Sequence, residues 1–516
     1  MTLDRRAFIT ITGLGAAGAL LARQTQTASA PSFELEEITL GELQDGLRSG
    51  RFTSRQLTEA YLARIEAIDK RGPAINAVIE LNPDALAIAD AMDRETTRRG
   101  PLHGIPVLIK DNIDTADRMH TSAGSLALAE SIAPRDSGVA KKLREAGAVI
   151  IGKTNLSEWA NFRSTHSTSG WSCRGGQTRN PYVLDRNPCG SSSGTGAGIA
   201  ASLAAVGVGT ETDGSVVCPS SASGLVGIKP TLGLISGAGI VPIAHSQDTA
   251  GPMCRTVTDA AILLGVLAEK PIDYTKSLDA NGLKGARIGV ARKFFGINDA
   301  SDAIMKSALD VIKRLGATIV DPADMATTGK YDDSEQEVLL FEFKTDLNKY
   351  LSGLNANVRT RTLADLIKFN EENRAREMPY FGQELFTKAQ EKGPLSDPKY
   401  KKALARNHQL SRAEGIDAAL KKHKLDAIVA PTGGPVWPTD LINGDHFTGG
   451  YSTASAVAGY PHITVPAGQA FGLPVGLSLF ASAWSEPALI KFAYAFEQAT
   501  KARKPPAFVP TLRLQA

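Results

Sequence analysis

Residues 138–154 read GVAKKLREAGAVIIGKT, a helix-like run that stops at Gly147 and passes at once into the apolar residues Ala148 to Ile151. Glycine ends helices because it enters the left-handed region without a Cβ clash. A strand apolar at every position, rather than at alternate ones, needs cover on both faces. The same grammar occurs in LHGIPVLIKDN, where Pro106 precedes the unbroken run Val107–Ile109, which ends on Lys110. Helices alternating with doubly covered strands leave a layered α/β sheet as the economical solution.

The rest of the chain fits that frame. Thr53 and Gln56 form a capping-box pattern, and Leu57, Tyr61, Ile65 and Ile68 follow at helical spacing, which predicts a docked amphipathic helix. From about 285 to 415 the sequence turns more charged and helical, and LDAIVAPT and YPHITVPAG then return to short apolar strands. No repeat or internal linker stands out. We expect an α/β fold, a large mixed twisted sheet covered by helices on both faces, with one domain over 31–516 and an embedded helical segment over 285–415 that walls the substrate pocket.

Residues 1–30 have a different character. Arg5 and Arg6 precede an apolar stretch from Ile9 to Leu21 and an Ala-x-Ala pattern at Ala28 and Ala30. That is the layout of a twin-arginine export signal, too short to span a bilayer comfortably, and it predicts a periplasmic or extracellular protein with no stable membrane span after its removal. Pro31 directly after the pattern disfavours cleavage at that bond. The chain carries 57 basic and 54 acidic side chains with no basic stripe, so no nucleic-acid partner is expected. Cys173, Cys189, Cys218 and Cys254 have no metal-knuckle or redox spacing, and folding in the cytoplasm before export predicts free thiols. The eight histidines form no ligand pair, so neither metal nor cofactor is expected.

Three motifs compete for the function. GAVIIGKT, residues 147–154, matches the Walker A pattern letter for letter, but a phosphate loop must curl with its N–H groups free, whereas Ala, Val, Ile and Ile should be strand. GSSSG, residues 190–194, matches the hydrolase elbow with Ser192 as nucleophile, yet the preceding TRNPYVLDRNPC is broken by Pro181 and Pro188 where the elbow needs a strand. The third reading joins NPCGSSSGTGAG, residues 187–198, to GTETDGSVVCPSSASGLVGIKPT, residues 209–231, and to Lys110. Here the sequence resembles the amidase signature family, which pairs a bridging serine in a Gly/Ser-rich segment with a nucleophilic serine 24 residues on and a lysine on an earlier strand; Ser191 and Ser215 have that spacing. The resemblance runs from about Thr39 to Glu497 and is strongest to the peptide amidases in GKTNLSEWANFRS, GGQTRNPY, CGSSSG, GTETDGSVVCP and SQDTAGPM.

The resemblance implies an amidohydrolase that cleaves carboxamides, here the C-terminal amide of peptides, to acid and ammonia through an acyl-enzyme. Ser215 would attack, Ser191, on a cis peptide bond, would relay its proton, and Lys110 would be the base. The N–H groups of Thr212, Asp213, Gly214 and Ser215 would form the oxyanion hole, and the main chain near Asn161 would hold the substrate amide. A lysine can serve as base only when neutral, and burial favours that state. Cys189 and Cys218 would be small wall residues. Three departures stand out: Cys189 and Asp213 each replace a usual glycine, and Val217 replaces an arginine, which leaves Glu211 without its expected partner. The expected partner is a small or peptide amide, with no obligate second chain. The alternatives are an amidase of other small or fatty amides, a transamidase subunit, or a scaffold that binds without catalysis.

Overall fold

A computed structural model describes residues 34–512 of the chain. The export pattern lies outside the described residues. In chain order the strands are β1 Val78–Leu81, β2 Pro106–Lys110, β3 Val149–Thr154, β4 Trp171–Ser172, β5 Gly176–Gln177, β6 Val206–Glu211, β7 Val226–Lys229, β8 Thr249–Cys254, β9 Arg287–Val290, β10 Thr318–Val320, β11 Ala427–Pro431, β12 His462–Ala470 and β13 Leu473–Phe480. Eleven of them form one sheet in the order β1-β3-β2-β6-β8-β7-β12-β13-β11-β9-β10, and β4 and β5 pair separately. The sheet is mixed. β2 runs parallel to β3 and β6, and β9 to β10 and β11, whereas β7, β8, β12 and β13 pair antiparallel with their neighbours. Every residue of β2, β3, β6, β8 and β11 is buried, as unbroken apolar runs require when helices pack on both faces.

The local predictions translate directly. Thr53 caps the helix Ser54–Arg64 with both arms of its capping box formed, and the helix widens into a π turn over Ile65–Lys70, so Leu57, Tyr61, Ile65 and Ile68 all reach the core. GAVIIGKT is strand and no phosphate loop: Val149–Thr154 is β3, and Lys153 points into a buried polar cluster.

The Gly/Ser-rich stretch forms the central buried helix Ser193–Ala200, all eight of whose residues are buried. Its small side chains let it lie against the backbone of its neighbours. A Cβ at Gly194 would fall 2.2 Å from the Ala77 carbonyl oxygen, and one at Gly207 on β6 would fall 2.7 Å from Thr195 Cγ2. A helix this close to a sheet tolerates no larger residue at those points.

The 285–415 segment differs from expectation in one respect. It carries the helices Asp299–Arg314, Asp332–Ser352, Leu363–Glu372, Glu384–Gln390 and Pro398–His408, but also β9 and β10, so its first part completes an edge of the main sheet. Strands of four and three residues, the second with no fully buried residue, leave almost no periodic trace. The helix Asp332–Ser352 packs Leu340, Phe343 and Leu347 against Trp159, Phe162, Val241 and Ile243, giving a second apolar cluster beside the carboxyl ends of β2 and β6. Among the described residues no helix is long and apolar enough to cross a membrane.

Candidate active site

Lys110 ends β2 and is wholly buried. Its Nζ lies 2.7 Å from Ser191 Oγ, 2.9 Å from Thr210 Oγ1 and 3.3 Å from the Thr210 carbonyl oxygen. Parallel pairing of β2 with β6 brings Thr210 there, at the carboxyl ends of parallel strands where α/β folds commonly build sites. Asn112 Nδ2 donates to the same Thr210 Oγ1 at 3.0 Å. Burial lowers the Lys110 pKa to about 7, and the negative charges of Asp248 and Glu211 pull it back upward.

The three consecutive serines have separate partners. Ser191 follows a cis Gly190–Ser191 bond, its carbonyl accepts from Ser157 N at 3.1 Å, and its hydroxyl faces Lys110. Ser192 donates to the Thr210 carbonyl at 3.1 Å and accepts from Thr210 N at 3.2 Å, so its hydroxyl ties the helix start to β6 and is unavailable as an elbow nucleophile. Ser193 donates to the Cys189 carbonyl at 2.6 Å and closes the turn. Gly190 is required by space, because a Cβ there would lie 2.2 Å from Ser157 Oγ.

Ser215 sits on the turn between β6 and the helix Val217–Ala222, buried at 8% exposure, and its carbonyl accepts from Ser192 N at 3.2 Å. That bond brings the two serine segments side by side. Gly214 adopts φ +79° in the same turn. Among the described residues the N–H groups of Thr212, Asp213, Gly214 and Ser215 take no protein acceptor. Thr212 Oγ1 donates to Asp248 Oδ1 at 2.6 Å, and Asp248 Oδ2 in turn accepts from Ile243 N and Ala244 N at 2.8 and 2.9 Å. Asp213 Oδ2 accepts from Thr453 Oγ1 at 2.7 Å.

The Asn161 turn also reaches the site. Trp159, Ala160 and Asn161 have φ of +50°, +53° and +70°, a left-handed run that turns the main chain over, and Ala160 shares a small cavity with Asn112 and Thr212. The Asn161 side chain itself faces away, donating to Ser169 Oγ at 3.0 Å.

One expectation needs correction. Cys189 and Cys218 are joined by a disulfide, with Cα atoms 6.0 Å apart, rather than standing as thiols in the wall; only Cys173 and Cys254 are free. Folding pairs them because it sets the serine segments side by side, a contact 29 residues apart in sequence that no local spacing signals. Glu211, without the arginine, has its Oε2 held by Val216 N and Val217 N at 2.8 and 3.1 Å, while its buried Oε1 has no hydrogen-bond partner among the described residues; burial raises its pKa and the Lys229 ammonium opposes that rise. Sequence reasoning missed Thr210, Asn112, Asp248 and Ser157. Thr210 could have been found from strand alternation on β6, whereas Asp248 enters from a loop that nothing local announces.

A buried lysine thus meets a serine hydroxyl beside a turn of unpaired N–H groups that carries a second serine. The chain belongs to the amidase family: the Amidase family model matches residues 56–490. It is similar to a probable amidase of Arabidopsis thaliana, 43% identical over 94% of each chain, and to a glutamyl-tRNA(Gln) amidotransferase subunit of Alkalilimnicola ehrlichii, 33% identical over 90% of this chain and 98% of that one. Among solved structures it is similar to the native peptide amidase of Stenotrophomonas maltophilia, with TM-score 0.87 and 48% identity over 92% of this chain and 100% of that one. The protein is thus an amidase-family hydrolase acting on amides.

Proposed function

We propose that the protein hydrolyses the C-terminal carboxamide of peptides to a free acid and ammonia, with Ser215 as nucleophile, Ser191 as proton relay and Lys110 as base. The observation that carries the relay is the hydrogen-bond count at Lys110 Nζ. A neutral amine has two N–H donors and one lone pair. The Thr210 carbonyl can only accept, and Thr210 Oγ1, which already accepts from Asn112 Nδ2, has a second lone pair for the other N–H. In that arrangement the amine lone pair faces the Ser191 hydroxyl at 2.7 Å. Ser191 can then take the proton of Ser215 as that oxygen attacks the carbonyl carbon, and the same path returns a proton to the departing ammonia. The free N–H groups of Thr212 to Ser215 offer stabilisation to the oxyanion.

The peptide amide as substrate rests on the 48% identity to the peptide amidase of Stenotrophomonas maltophilia. Ammonia release from an N-acetylated dipeptide amide, unaffected by EDTA and without ATP or a second chain, is the expected result. Release only with ATP and a partner chain would favour a transamidase, the reading that the amidotransferase relative suggests. A fluorophosphonate should label Ser215, and an unlabelled but ligand-binding protein would mean a scaffold without catalysis. Export through the twin-arginine route is part of the proposal, with the Cys189–Cys218 disulfide closing after export, in an oxidising compartment, rather than during folding in the cytoplasm. Fractionation of cells expressing the full chain tests it.

A further inference from the structure

Three consecutive residues of the loop ahead of β8 are each bound to a carboxyl group of one helix, Asp332–Ser352. His245 Nδ1 lies 2.7 Å from Asp346 Oδ2, Ser246 N donates to Glu342 Oε2 at 2.9 Å, and Gln247 Nε2 donates to Glu335 Oε1 at 2.9 Å. Glu335, Glu342 and Asp346 are seven and four residues apart, so they form one stripe along that helix. Tyr400 OH, from the helix Pro398–His408, donates to Glu342 Oε1 at 2.7 Å and fixes it in turn. The embedded helical segment thus grips the loop that delivers Asp248.

Gln247 reaches beyond that ladder. Its Nε2 also donates to the Thr212 carbonyl at 3.3 Å, so both of its N–H groups are used. A carbonyl can only accept, which fixes the orientation of the amide, and Gln247 Oε1 is buried with no partner among the described residues. The side chain is therefore held by its nitrogen. The Thr212 carbonyl and the Asp213 N–H belong to one planar trans peptide, in which the two groups point in opposite directions. A donor held on the carbonyl sets the side on which the Asp213 N–H lies, and by polarising the peptide strengthens that N–H as a donor. Main chain does the same for Ser215, whose N–H shares a peptide with the Gly214 carbonyl that accepts from Cys218 N at 2.8 Å. Only at Asp213 does the aim depend on a distant side chain. The Asp248 bond to Thr212 Oγ1 cannot replace it, because a hydroxyl swings about χ1 and does not define the peptide plane.

We propose that Gln247 is a positioning residue of the reaction, which aims the Asp213 N–H at the developing oxyanion, and that Glu335 holds Gln247 in place. The inference rests on the reading of the Thr212–Ser215 turn as an oxyanion hole and is independent of which amide is cleaved. Deleting an oxyanion donor outright costs about 10²- to 10³-fold in kcat, so mis-aiming one donor among several should cost about tenfold.

Gln247→Leu, which removes both N–H groups at similar volume, should lower kcat about tenfold and leave KM within about twofold. The inhibition constant of a peptide aldehyde, whose adduct with Ser215 places an oxyanion in the same hole, should rise by the same factor. That of the product acid, which forms no adduct, should not. A merely loosened fold would weaken both ligands alike, and that result, or wild-type kcat in Gln247→Leu, would overturn the assignment. Glu335→Gln and Glu335→Leu test the same chain with the loop sequence intact: the first keeps an oxygen that can accept from Gln247 Nε2 and should keep most of the rate, whereas the second should lose severalfold. Equal rates in the pair would remove Glu335 from the proposal. The rate at which a fluorophosphonate labels Ser215 gives the same comparison without an amide, since its phosphoryl oxygen enters the hole, and should fall about tenfold in Gln247→Leu. If the protein labels at Ser215 but cleaves no peptide amide, the peptide-amide reading fails alone and the labelling rates decide this one. A wild-type chain that neither labels nor turns over any amide ends both.

Discussion

Lys110 ends β2 and Lys153 is the last residue but one of the neighbouring parallel β3; both are wholly buried, yet the charges around them differ. Ile109 pairs with Lys153 and Lys110 with Thr154, so alternation sends the two side chains to opposite faces of the sheet. Lys153 donates to the Ile113 carbonyl at 2.6 Å and to Thr121 Oγ1 at 3.0 Å, and Asp111 and Asp114 are the charges that raise its burial-lowered pKa. Lys110 meets only hydroxyls and a carbonyl, with its nearest influential carboxylates acting without contact. Neither ammonium touches a carboxylate, but four acids, Asp111, Asp114, Asp117 and Glu80, act on Lys153 and only two, Asp248 and Glu211, on Lys110. The smaller opposing charge lets burial bring the Lys110 pKa to about 7, where a base is useful.

The comparison breaks first at Lys110. Lys110→Ala should cut kcat on a peptide amide by at least about 10³-fold, and Ser191→Ala similarly, while the double variant loses little more because the groups act as one unit. Thermal stability should fall as well, since truncating a wholly buried side chain leaves a cavity worth about 2 to 5 kcal/mol, so kcat is read on the folded protein. Near wild-type turnover in Lys110→Ala at neutral pH would end the relay assignment.

Lys153→Met should do the reverse. It leaves Asp111 and Asp114 buried without their lysine, and truncating one side of a buried charge cluster costs about 3 kcal/mol or more. Denaturant titration should show that loss, whereas the pH dependence of turnover in the folded protein should keep its wild-type form. A variant that unfolds normally but turns over slowly would mean that Lys153, too, belongs to the chemistry.

The Cys189–Cys218 disulfide lies on the Lys110 side of the comparison, joining the two serine segments directly. Cross-linking residues 29 apart restricts the unfolded chain and is worth about 3.5 kcal/mol for such a loop. The paired Cys189→Ser and Cys218→Ser variant should unfold at lower denaturant and lose a few-fold in kcat. An unchanged kcat with lowered stability would show that the bond supports the fold and not the alignment of the serines.

These contrasts explain what the sequence could reveal. β2 and β3 are legible because a run apolar at every position has one meaning, and the helix at Ser54 because Thr53 and Gln56 mark its start. Lys110 and Ser191 are legible as a pair only through resemblance, since 81 residues separate them and only the packed fold closes the distance. The disulfide and Asp248 are contacts between segments with no periodic or local signal. β9 and β10 stayed hidden for another reason, being too short to outweigh the helices around them.

The smallest effect concerns how the protein sets the Lys110 charge. In the proposed mechanism the lysine acts when neutral, so turnover should rise with pH through about 7 and fall below it as Nζ takes up a proton. The negative charge of Asp248 favours that protonated form and so holds the acid limb at higher pH than burial alone would. Removing the charge with Asp248→Asn should move the limb toward lower pH. The shift must be modest, because burial brings the Asp248 pKa itself to about 7, and the carboxyl is already losing its charge where the limb lies. The variant should also lower the plateau, since once its amide oxygen accepts from Ile243 N and Ala244 N its Nδ2 faces Thr212 Oγ1 and cannot accept from it, and the Thr212 turn that Asp248 anchors would loosen. A pH–rate profile separates the two effects, as the plateau reports the turn and the midpoint reports the charge. A midpoint that moves upward would show that Asp248 acts on Lys110 through position alone.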